Sequence, residues 1–88
     1  MFTFHTDPGH AWLEVPVALL HELGISEDIS SYSYVQGKSA FLEEDLDAGT
    51  FIAAYRDGYG SLPLIQESFS ENTPIRSYPS YRHRKDGA

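Results

Sequence analysis

Cysteine is absent from this chain, and with it go disulfide cross-links, thiolate nucleophiles and cysteine-ligated zinc. Lysine is nearly as scarce, Lys38 being the only one in the body of the sequence. There is no phosphate-cradling glycine loop, no nucleophile elbow around a serine and no HExxH pair. Apolar runs are short. None approaches the ~18 residues that a membrane span needs, and the opening MFTFHTDPG lacks the basic start and apolar run of a signal peptide. The expectation is a cytoplasmic protein with no membrane association and no cofactor.

What is present is a short chain with folded-protein composition. Its 88 residues are 41% hydrophobic and 14% aromatic, which fits one small domain in which aromatics supply much of the core. The net charge of −7 is uneven: residues 1 to 74 carry twelve acids against Lys38 and Arg56, whereas residues 75 to 88 carry four cations against Asp86. An acidic body repels phosphate backbones and suits a basic partner, so direct nucleic-acid binding is not expected. The RHRK run at 82 to 85 reads as a solvated chain end.

Two blocks of similar design follow one another. Phe2 to His5 and His10 to Val15 alternate as strands do around the turn residues Asp7-Pro8-Gly9. Pro16 then suits a helix start, and Gly24 stops a helix over 17 to 23. Ser26-Glu27-Asp28 can form a single turn. Ser31 to Val35 and Ser39 to Glu43 flank Gln36-Gly37 as a second hairpin, and Asp45 or Asp47 can cap a helix over about 46 to 56, closed by Gly58 and Gly60. The tetrads AWLE at 11 and AFLE at 40 mark the same place in each block. The resulting expectation is an α+β domain over residues 1 to 78. It holds an antiparallel sheet built from two ββα units plus one or two C-terminal strands, with both helices on one face. A flexible basic tail is expected over 79 to 88. Pro63 places the strand over 62 to 69 at a sheet edge, and 75 to 78 can add a last strand.

Hairpin pairing decides which residues share a face. A loop over 6 to 9 pairs His5 with His10, Phe4 with Ala11 and Thr3 with Trp12. A turn at 36 and 37 pairs Tyr34 with Ser39 and Tyr32 with Phe41. Ala11, Leu13, Ala40 and Leu42 then lie beneath the helices, and Trp12, Tyr32, Tyr34 and Phe41 lie opposite with His5 and His10. An aromatic surface of that size needs a cover. Three covers are open: the C-terminal segment with Tyr78 and Tyr81, a second copy of the chain, or a different protein.

Each chemical candidate has a plainer structural reading. His5, Asp7 and His10 could hold zinc as a small hydrolase site, but Pro8 makes their convergence awkward, and turn formation accounts for all three. Glu43, Glu44, Asp45 and Asp47 could bind a divalent ion, but a strand end followed by helix N-terminal acids explains them. Sheet aromatics can stack RNA bases, yet Glu14 and Glu43 flank them here where such readers carry cations. The leading expectation is therefore a non-enzymatic protein-binding module. It would use Trp12, Tyr32, Tyr34 and Phe41, with His5 and His10 at the edge and Glu43, Glu44 and Asp45 as a charged rim. A partner with a basic or nucleic-acid-binding groove fits that surface, and a structural homodimer is a further reading. On this view Trp12→Ala would keep the fold and lose the partner.

The stretches TDPGHAWLEVP, ISSYSYVQGKSAFLEEDLDA and IRSYPSY resemble a group of small proteins encoded in bacterial, prophage and plasmid genomes, with a DPxH[GA]WL motif, a YSY strand and LEED. The resemblance covers about residues 3 to 81 and brings no activity or functional residues with it. Small size, acidity and a mobile-element setting are shared by many phage inhibitors of bacterial defence, anti-CRISPR proteins among them. That further step is one of style rather than motif.

Overall fold

The computed structural model describes residues 1–83. Its chain order is β1 (Phe2–Thr6), β2 (Ala11–Pro16), α1 (Val17–Glu22), a 3₁₀ turn (Ser26–Asp28), β3 (Tyr34–Gln36), β4 (Ser39–Glu43), α2 (Asp47–Tyr59), β5 (Ile65–Phe69) and a second 3₁₀ turn (Ile75–Ser77). This is the expected α+β architecture with a five-stranded sheet in the order β3-β4-β2-β1-β5. β1 through β4 pair antiparallel, and β5 joins β1 parallel, so the sheet is mixed. None of the described helices is long and apolar enough to cross a membrane.

Both hairpins turn one residue later than the sequence reading has them, and the first is also tighter. In the first, Asp7 N–H donates to His10 O, which leaves Pro8-Gly9 as the loop and sets His5 opposite Trp12 rather than opposite His10. The Asp7 carboxylate enforces this turn by accepting the Gly9 and His10 N–H groups at 3.0 and 2.8 Å. In the second, Gly37 (φ 60°) takes the first central position, where hairpin turns of the II′ type require positive φ, and Tyr34 faces Phe41. Each register therefore differs from expectation by two residues. An even shift keeps every side chain on its assigned face.

On one face Leu13, Val15, Ala40 and Leu42 meet Leu20 of α1 and Ala48 and Phe51 of α2, forming the main core. Phe51 is completely buried and makes a T-shaped contact with the Phe2 ring at a centroid distance of 5.3 Å. Gly60 (φ 76°) closes α2, donating its N–H to Arg56 O, whereas Gly58 lies within the helix. On the other face Trp12 and Phe41 pack with Ile75, Tyr34 and Tyr78.

The segment after Ser77 is held to the fold through Tyr81, within the stretch expected to be a loose tail. Val35 N–H donates to Pro79 O and Tyr81 N–H to Ser33 O, at 2.8 Å each, so the chain pairs along the outer edge of β3. An open strand edge is a template for unwanted pairing, and this clasp blocks it. Tyr78 packs on the aromatic face while Tyr81 is buried in the helix-side core, so the chain passes round the β3 edge from one layer to the other. The Tyr81 phenol donates to Ser26 O and accepts from Ser26 Oγ, at 2.7 and 2.8 Å. The remainder of the expected tail, residues 84 to 88, lies outside the described residues.

If the clasp contributes as its burial implies, Tyr81→Ala should cost roughly 3 to 5 kcal/mol. Tyr81→Phe, which leaves the Ser26 carbonyl without its donor, should cost about 1 to 2 kcal/mol. Urea denaturation of both variants checks this, and wild-type midpoints would mean that the segment is loose.

Candidate functional site

The aromatic face is covered by its own chain. Ile75 at the second 3₁₀ turn seats against Trp12 and Phe41, which are 2% and 7% exposed, and Tyr78 meets the Phe41 ring at 5.3 Å. Of the three covers, the C-terminal segment occupies this surface. Trp12 and Phe41 are therefore core residues, and a binding role through their faces does not fit their burial.

The cover stops short of the hairpin end of the sheet. There a groove of about 470 Å³ opens, lined by His10, Ala11, Trp12, Tyr32, Tyr34, Glu43, Glu44, Asp45, Leu46 and Arg76. It gathers most of the residues singled out from the sequence, but not His5 and Phe41. Tyr32 and Leu46 stand in solvent at 79% and 59% exposure, and Glu44 and Asp45 are exposed beside them.

Local chemistry holds this groove in shape. The His10 ring stacks on Trp12, the two planes 12° apart with centroids at 5.7 Å, and the Arg76 guanidinium carbon lies 5.9 Å from the Trp12 ring centroid. Arg76 also hydrogen-bonds His10 Nδ1 and lies 3.6 Å from Asp7 Oδ1, which fixes the incoming C-terminal segment to the first turn. Partial desolvation raises the Asp7 pKa. The Gly9 and His10 N–H groups, the Arg76 charge and the Thr73 hydroxyl together outweigh it and hold the carboxyl below its ordinary value.

The rim carboxylates differ in availability. Glu43 turns back over the start of α2, accepting N–H groups of Asp45, Leu46 and Asp47 at 2.7 to 2.9 Å. It therefore supplies the cap expected of Asp45 or Asp47. Asp47 points inward, fully buried, and its Oδ2 accepts Ser30 N–H, Ser30 Oγ–H and Ser33 Oγ–H. Only Glu44 and Asp45 of this run are left to meet a ligand. Arg76, Leu46 and the Ser33–Asp47 contact were not foreseen. The signal for the last was a serine at the core-facing parity just before β3, which burial obliges to find partners.

The rival site does not assemble. His5 Nε2 binds Glu14 Oε1 at 2.8 Å, with Ser39 Oγ donating to the other Glu14 oxygen, while Asp7 serves its own turn and His10 meets Arg76. Among the described residues no group of three or more His, Asp or Glu side chains is placed to hold a metal. A serine–histidine contact exists elsewhere, Ser26 Oγ to His83 Nδ1 at 2.9 Å, but Ser26 is buried and its hydroxyl proton goes to Tyr81. That contact is a latch, not a nucleophile and base.

Two outcomes follow. Trp12→Ala should lose roughly 3 to 5 kcal/mol, as deletion of a buried aromatic does. Tyr32→Ala should stay within about 0.5 kcal/mol of wild type, and denaturant titration compares the two. Because the folded-state pKa of Asp7 lies below its unfolded value, its charge stabilises the fold fully above the ordinary aspartate range. That contribution fades as pH falls through the lower folded value. Asp7→Asn, which keeps the turn acceptor, should be less stable than wild type at neutral pH and converge on it in acid. A gap that persists in acid would assign the effect to the turn instead.

Comparison of the chain with protein-family models, with curated proteins and with solved structures finds no match.

Proposed function

We propose that this chain is a non-enzymatic protein-binding module that engages its partner through the groove between Tyr32, Leu46 and Arg76. One observation carries the reading: a tyrosine and a leucine stand largely in solvent beside a concave, aromatic-floored site with two uncommitted carboxylates on its rim. Exposed aromatics next to a rigid floor are what interface anchors look like, because little conformational entropy is lost when they are buried. Glu44 and Asp45 select for basic groups, and the acidity of the whole chain extends that preference over a longer range. A lysine or arginine next to an apolar side chain is the complement.

The class of partner follows from the same charge. A basic groove that ordinarily holds nucleic acid would accept an acidic surface of this kind. The resemblance to prophage and plasmid proteins suggests a bacterial defence protein as its owner, met in the cytoplasm. The aromatic surface first expected is thus replaced by its uncovered end, with Tyr32 and Tyr34 retained and Trp12 serving as floor.

Affinity capture from a bacterial lysate tests the reading with wild type, Tyr32→Ala and the double variant Glu44→Lys, Asp45→Lys side by side. The expected result is one basic protein held by wild type, released by added nucleic acid, and bound at least about tenfold more weakly by either variant. Equal capture by all three would remove the groove from the interface.

A further inference from the structure

The two edges of the sheet are treated differently. The β3 edge is clasped by residues 79 to 81, while no described residue pairs with the outer edge of β5, all five residues of which are exposed. Phe2 N–H donates to Leu64 O and Ser70 N–H to Thr6 O, each at 2.9 Å, so the even-numbered positions of this segment face β1. Strand alternation then turns the N–H and C=O groups of Ile65, Glu67 and Phe69 outward. The parallel register sets those same residues beside Phe2, Phe4 and Thr6, on the helix-side face. The helices do not extend over them: Ile65 and Phe69 are 40% and 63% exposed.

An open edge thus carries free backbone groups, two apolar side chains and one carboxylate between them. Natural proteins commonly protect such an edge with charged residues, proline or a bulge, and of these β5 has only the single charge of Glu67. We infer that β5 is a docking edge for an extended segment of another protein, one that presents a basic residue between two apolar ones along a single face. Backbone hydrogen bonds supply the pairing, and the cross-strand contact with Glu67 supplies the selectivity. Charge argues against a second copy of this chain. Symmetric pairing about Glu67 would set two carboxylates opposite each other and join two bodies each at −7. This edge is separate from the groove at Tyr32, and neither reading depends on the other.

The test uses two soluble synthetic strand peptides, with valine, lysine, valine or valine, glutamate, valine on one face and threonine between. Binding to the full chain is followed at low salt through backbone amide shifts and hydrogen exchange. The lysine peptide should bind about three- to tenfold more tightly, slow exchange at Ile65, Glu67 and Phe69, and leave the groove residues unmoved. Glu67→Lys should reverse the preference. Glu67→Pro, which deletes an outward donor and leaves the β1 ladder intact, should abolish binding while circular dichroism is unchanged. Indifference to peptide charge, binding that survives Glu67→Pro, shifts confined to another surface, or a dimer that Glu67→Pro dissociates would each overturn the inference.

Discussion

A buried carboxylate holds the two layers of this small domain in relation to each other. Placing Asp47 in the interior costs several kcal/mol unless donors replace its water, and three of them converge on Oδ2. Two come from Ser30 and one from Ser33, which itself has no polar group idle. Its N–H donates to Ser30 O, its carbonyl accepts from Tyr81, and its hydroxyl accepts the Glu43 N–H while donating to Asp47. The loop before β3, the end of β4, the start of α2 and the C-terminal segment are thereby joined through a single serine. The Ser33 N–H to Ser30 O bond closes a turn over 30 to 33, and from that turn Tyr32 projects into solvent.

The same constraint divides the acidic run. Glu43 and Asp47 are spent on backbone and hydroxyl donors, so the net charge of the run overstates what a partner would meet. The two acids between them, Glu44 and Asp45, project from a turn already pinned at both ends. Rigid presentation of a charge matters more for discrimination than the number of charges, because less ordering is needed on contact.

Much of the fold was legible because the sequence alternates cleanly. Ala11, Leu13, Ala40 and Leu42 against Trp12, Tyr34 and Phe41 is a period-two pattern that survives a register shift of two, so the layers were assigned correctly from misplaced turns. Those turns were misplaced for a local reason. Loop length rests on side-chain acceptance by Asp7 and on the φ of Gly37, and residue identity alone allows more than one loop position for each. The parallel pairing of β1 with β5 was out of reach, since Ile65 to Phe69 carries no mark of direction. Similarly, Ile75 reads as part of a last strand and Tyr81 as part of a loose tail. Their burial depends on how far the sheet extends, a property of the assembled fold.

The passage of the chain round the β3 edge bears on the order of assembly. The last long-range contacts, Tyr81 with Ser26 and Ile75 with Trp12, close loops spanning most of the described chain, and the Ser26 to Tyr81 contact alone spans 55 residues. Closing such a loop has an entropic cost that its contacts offset only once both ends are in place. Until the C-terminal segment docks, the sheet has its aromatic face bare and its β3 edge unpaired. Before that closure the chain offers a second open edge, at β3, and a bare aromatic face in addition to the β5 edge that the finished fold keeps.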